Sequence, residues 1–213
     1  PNGNMIPPSE FVPLAEQTGL ILALGERVFH KAAKYARAWA NEGHAPLIAV
    51  NVSPNQLRHP DFVKQLKDIL QKTRTEAKWF ELEITEYAMM EDVAHSIRII
   101  NELADLGFSI AVDDFGTGYS SLSYLKHFQI HTLKIDLSFI HDVTTDWQSS
   151  AVVRSIVSLG SGLGLNVVAE GVETEEQAKL LTELGCTYLQ GYYFAKPMAA
   201  EHYIHWASQN APV

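Results

Sequence analysis

The stretch AVDDFGTGYSS, residues 111–121, places two adjacent aspartates, Asp113 and Asp114, between an apolar run and a glycine-and-serine turn. Like charges side by side where a buried strand ends are costly unless something positive sits between them. Neighbours on a regular strand face opposite ways, so both carboxylates reach one point only where the pleat breaks, which is expected at residues 115–116. Asn51 and Glu83 end two earlier apolar runs. With the aspartates they offer one amide oxygen and three carboxylates, hard donors that suit Mg²⁺ or Mn²⁺ and not a structural zinc. Any one of them alone reads as a helix cap at a strand-to-helix turn. Four on successive strands, joined by Lys134 and Glu170, read as a site.

The elements that would position these residues repeat one plan: a helix-period stretch, a stop at glycine, a short β-branched run, then a polar residue. A helix from Leu20 to Glu42 stops at Gly43 before LIAVNVS, and one ending near Leu106 stops at Gly107 before FSIAVDD. SLGSGLG precedes LNVVAEG, and TELG precedes CTYLQG; Thr174 and Gln177 have capping-box spacing at the start of the last helix. WFELEIT and TLKIDLSF keep the pattern without the glycine. Helices alternating with mostly apolar strands predict an α/β fold with a parallel sheet buried on both faces. Six strands are expected, centred near Ala49, Leu82, Ala111, Lys134, Val168 and Leu189. They end in Asn51, Glu83, Asp113 with Asp114, Lys134 with Asp136, Glu170 and Gln190, and the carboxyl ends of parallel strands are where such folds build sites. Glu86 is expected in the loop beyond its strand, accepting hydrogen bonds from the FGTGYSS turn or standing solvated at the surface. Gly116 and Gly118 could offer backbone N–H groups to a phosphate, a weak signal alone.

Composition limits the alternatives. The 213 residues fit a single domain, 1–213, and 46% apolar with 19% charged residues argues for a folded chain. A net charge of −9 argues against holding a nucleic-acid polymer, which needs concentrated Lys and Arg. A small anionic ligand is compatible if metal ions supply positive charge locally. No apolar stretch approaches a membrane span, and the single Cys186 points to a reducing compartment, hence the cytoplasm. The histidines show no metal-ligand spacing; the pairs His127 with His131 and His202 with His205 have helical spacing and read as surface residues. Trp39, Trp147 and Trp206 read as core or interface. There is no P-loop, nucleophile elbow or C-x-x-C.

The blocks PNGNMIPPSEFVPLAEQTGLI, VNVSPNQL, ELEITE, DDFGTGYSSLSYLK, LKIDLSFI, VVAEGVET and LQGYYFAKPM, in this order from Pro1 to about Met198, resemble the EAL-domain family of cyclic-di-GMP phosphodiesterases. The resemblance implies a TIM-like (β/α)₈ barrel of modified topology. It implies a bacterial signalling hydrolase that opens one phosphodiester of cyclic-di-GMP to give linear pGpG with two Mg²⁺ or Mn²⁺ ions. On this pattern Asn51, Glu83, Asp113 and Asp114 correspond to metal ligands, Lys134 to the lysine near the attacking water, and Glu170 to the general base. Gln190, Glu173 and Asp136 correspond to supporting residues, and Glu86 to the glutamate that steadies the loop after the aspartates.

The family's signature, E-x-L-x-R, lies just before the segment in which this chain starts, and an eight-stranded barrel needs two more strands than the six visible. Both are expected upstream, and this isolated piece is expected not to turn over at a useful rate. A catalytically silent cyclic-di-GMP receptor is the alternative function, and an enolase-type Mg²⁺ site the analogy from fold alone. Expected partners are cyclic-di-GMP, a second copy docking through residues 118–128, and a sensory or diguanylate-cyclase-like domain upstream in a parent that could be membrane-tethered.

Overall fold

In the computed structural model, which describes residues 6–44, 47–118 and 122–210, helices and strands alternate. Helices α1 (Pro8–Gln17) and α2 (Leu20–Asn41) lead into β1 (Ile48–Val52), followed by α3 (Pro54–Leu57), α4 (Phe62–Thr73) and β2 (Phe80–Thr85). Then come α5 (Glu86–Glu91), α6 (Val93–Asp105), β3 (Ser109–Phe115), α7 (Leu122–Leu125) and β4 (Thr132–Ile135). The chain continues through α8 (Leu137–His141), α9 (Trp147–Leu163), β5 (Asn166–Glu170), α10 (Glu175–Leu184), β6 (Tyr188–Gln190) and α11 (Ala200–Asn210). The six strands form one parallel sheet in chain order, each paired with the next. All six expected strand centres fall inside them.

Local chemistry explains the punctuation. Gly164 after α9 and Gly185 after α10 take left-handed conformations (φ 71° and 96°), where a β-carbon would be strained, so each helix stops there. The expected capping box opens α10: Thr174 Oγ1 accepts from the Gln177 N–H, and Gln177 Oε1 accepts from the Thr174 N–H. A second box, Ser53 with Gln56, opens α3 directly after β1.

On β2, Phe80, Leu82 and Ile84 are completely buried beneath the helices while Glu81 and Glu83 face the other way. Phe80 and Phe108 meet Phe29 of α2 with ring centroids 4.9 and 6.0 Å apart. Each such buried side chain contributes roughly 1.5–3 kcal/mol of transfer free energy. The central strands β2, β3 and β4 are buried on both faces as expected, but their inner face carries polar groups. Glu81, Glu83, Ser109, Thr132, Lys134 and Asn166, together with apolar residues such as Ala49, Val168 and Leu189, line a cavity of about 410 Å³ that touches all six strands, so the sheet curls around a lumen of mixed character. No helix of the described residues is long and apolar enough to cross a membrane.

Candidate active site

The carboxylates converge on one lysine. Lys134, 4% exposed on β4, places Nζ 2.5 Å from Glu83 Oε1, 2.6 Å from Glu170 Oε1 and 3.3 Å from Asp113 Oδ1. The three acids come from β2, β5 and β3, so the cluster exists only when four strands are in register. Ala111, wholly buried, stands opposite Glu83 on β2 and opposite Thr132 on β4, and its small side chain lets Glu83 reach over β3 to Lys134.

The adjacent aspartates share the site because the pleat breaks at Asp114 itself. The β3–β4 register shifts between Val112 and Phe115, and Asp114 has φ 53°, a left-handed conformation that Asp tolerates better than most residues. The break therefore begins one residue before the expected position, and Gly116 (φ 99°) continues it. Asp113 Oδ1 accepts the Asp114 N–H at 3.1 Å. The Asp114 carboxyl is turned toward Asp136, which caps α8 by accepting the Ser138 N–H.

Electrostatics follow from this crowding. Burial alone would lower the Lys134 pKa, but the charges and hydrogen bonds of Glu83 and Glu170 outweigh it, so the ammonium stays charged far into the alkaline range. Burial raises the Glu83 and Glu170 carboxyls above their ordinary value even though Lys134 pulls both down. Burial, then Asp113 and Asp136, raise Asp114. One ammonium among Glu83, Asp113, Asp114, Asp136 and Glu170 leaves negative charge uncompensated. An all-oxygen donor set with this deficit fits a hard divalent cation. Among the described residues no three His, Cys, Asp or Glu side chains are grouped as a ready cage, and Lys134 pairs with the Glu83 and Glu170 oxygens. Asn51 is in register with Glu83 but exposed at the edge of the sheet.

The remaining expected residues divide. Gln190 sits in register with Glu170 at the cavity. Glu173 is exposed just beyond β5, its backbone N–H donating to Gln177 Oε1. Glu86 is neither in a loop nor solvated: it opens α5, is 2% exposed, and accepts the Gly116 N–H at 3.1 Å. That bond commits the Gly116 amide, which had been a candidate phosphate donor. At Gly118 a β-carbon would stand 2.7 Å from Glu86 Oε1, so only glycine lets the turn lie on this carboxylate.

The spacing of His127 and His131 is not helical. His127 lies in the turn after α7, and His131 precedes β4, its Nδ1 accepting the Ile110 N–H. Trp147 is 75% exposed at the start of α9, outside the core, whereas Trp39 stacks on Tyr35 and meets Tyr203 at a tilt. Part of the expected dimer segment, residues 119–121, lies outside the described residues; within the rest, Tyr124 is exposed and Leu125 and Phe128 are buried.

Parallel strands in chain order, with acids and a lysine gathered at their carboxyl ends, define an α/β-barrel type of site. The chain belongs to the EAL domain family, which matches residues 1–197. It is 45% identical over 202 residues to the bifunctional diguanylate cyclase/cyclic di-GMP phosphodiesterase MucR of Pseudomonas aeruginosa, a match covering 94% of this chain and 30% of that protein. The PaMucR phosphodiesterase in complex with c-di-GMP superposes with a TM-score of 0.93 at 45% identity, covering 95% of this chain and 83% of that one. The manganese/c-di-GMP complex of Klebsiella pneumoniae BlrP1 superposes at 0.71 with 32% identity, covering 82% and 45%. The chain spans about a quarter to a third of the length of the curated relatives it matches.

Proposed function

We propose that this domain, residues 1–213 as one unit, hydrolyses one phosphodiester of cyclic-di-GMP to linear pGpG with the help of Mg²⁺ or Mn²⁺. The observation that carries the reading is the convergence of Glu83, Asp113 and Glu170 on Lys134 in a chain 45% identical to a cyclic di-GMP phosphodiesterase. Asn51, Glu83, Asp113 and Asp114 would hold the cations. When bound, these supply an activated water and neutralise charge on the phosphate oxygens.

The chain's own groups do the rest. Glu170, its pKa raised by burial, is a stronger base than a surface glutamate and accepts the proton of the attacking water. Lys134, its pKa raised by Glu83 and Glu170 against the effect of burial, faces the oxygens on which negative charge grows. Gln190, Asp136 and Glu173 support the rim, and Glu86 fixes the turn after the aspartates through Gly116. A homodimer through residues 118–128, a sensory or cyclase-like neighbour domain and a cytoplasmic setting belong to the same proposal.

The test uses the full-length protein with cyclic-di-GMP and Mg²⁺ or Mn²⁺, the product being identified by chromatography. Metal-dependent pGpG that disappears with chelator and in E170Q is the expected result. Tight binding of cyclic-di-GMP without product would replace the reading with a receptor.

A further inference from the structure

Glu81 is a buried carboxylate to which the proposed reaction gives no part. It is 9% exposed, two residues before Glu83 on the same face of β2, and its Oε2 accepts both Ser109 Oγ and Thr132 Oγ1 at 2.8 Å. Thr132 in turn lies two residues before Lys134 on the same face of β4. Two rungs are therefore stacked in the lumen, each reaching from β2 over β3 to β4: Glu81 to Thr132 below, Glu83 to Lys134 above. Ser109, in register with Glu81, ties β3 into the lower rung.

The lower rung matters because the β3–β4 ladder breaks just above it, whereas β4 stays in register with β5 throughout. The β3–β4 ladder pairs Ala111 with Thr132 and Val112 with Leu133, then loses register until Phe115 meets Ile135. Lys134 lies opposite that break, so the β3 side does not fix its height through the backbone. Hydrogen bonds from hydroxyls are directional, and Glu81 accepts two of them, both 2.8 Å long.

We propose that Glu81 is a positioning residue: by anchoring Thr132 and Ser109 it fixes the height of β4 against β2 and β3, and with it the placement of Lys134 relative to Glu83 and Asp113. The proposal rests on the reading of Lys134 as an active-site lysine. A glutamine at 81 keeps an oxygen that can accept from both hydroxyls; a leucine cannot.

The experiment compares wild type, E81Q, E81L and T132V in the full-length protein. The readouts are kcat and KM for cyclic-di-GMP, thermal unfolding, and the ¹⁵N resonance of the Lys134 ammonium. E81L should lower kcat by about tenfold to a hundredfold, the scale that misplacing a reacting group produces, with KM nearly unchanged. It should also move the Lys134 resonance. E81Q should rescue most of both effects. T132V, nearly isosteric, should reproduce part of the E81L effect should E81L itself fail to fold. A wild-type kcat and an unmoved Lys134 resonance in E81L or T132V would overturn the proposal, as would E81Q behaving like E81L. If wild type makes no pGpG, the proposed function falls while the Lys134 resonance still decides the positioning role.

Discussion

Glu83 and Lys134 lie 2.5 Å apart although their strands are not neighbours. Replacing Lys134 with methionine keeps its bulk and leaves Glu83 and Glu170 buried without a counter-charge. Breaking a buried ion pair from one side costs about 3–5 kcal/mol, which urea unfolding of K134M in metal-free buffer should register. Hydrolysis should fall at least about a hundredfold, as when a charge-stabilising donor is removed. Mn²⁺ should raise the melting temperature of K134M more than that of wild type, since the variant's carboxylates have lost their internal cation.

Ala111 is the gap through which that contact passes. A111L should retain a folded spectrum yet lose about 1–3 kcal/mol to overpacking, and it should separate Glu83 from Lys134. Activity should fall further than stability does; equal activity in A111L and wild type would show that the reach over β3 is dispensable.

At Gly118, alanine would drive a methyl into the Glu86 carboxylate and dislodge it from the Gly116 N–H. A hydrogen bond to a charged group is worth about 1.5–3 kcal/mol. G118A should therefore loosen the turn, and amide exchange at Gly116 should quicken relative to wild type.

Asp114 carries a pH signature. Its pKa in the folded protein is raised above the ordinary 3.8, first by burial and then by Asp113 and Asp136. A raised carboxyl favours folding while protonated, and that contribution is lost as pH rises through the folded value. D114N removes the charge and suits the left-handed backbone at this position. In metal-free buffer it should be more stable than wild type at neutral pH, by less than about 1 kcal/mol because the carboxyl is partly solvated. The advantage should vanish in acid. Saturating Mn²⁺ should reverse the order, since Asn binds a cation less strongly.

Strand positions were legible in the sequence because glycine stops and β-branched runs are local signals, and the centres read from them fall inside the six strands. What sits between the strand ends was not. The contact of Lys134 with Glu83 joins residues of β4 and β2, and no spacing rule reports such pairs. Glu86 looked like a loop residue because its burial depends on a turn thirty residues later. The break at Asp114 is a backbone conformation that Asp permits without advertising. Glu81 had one available signal: it shares the face of Glu83, as Thr132 shares that of Lys134.

The strand order also bears on how the protein is made. Lys134 can meet Glu83 and Asp113 as soon as β4 docks, but Glu170 arrives with β5 and Gln190 only with β6. During synthesis, a ribosome-bound chain would bring Lys134 to Glu83 and Asp113 before Glu170 joins them. The full charged cluster should thus assemble late, after most of the sheet has already consolidated.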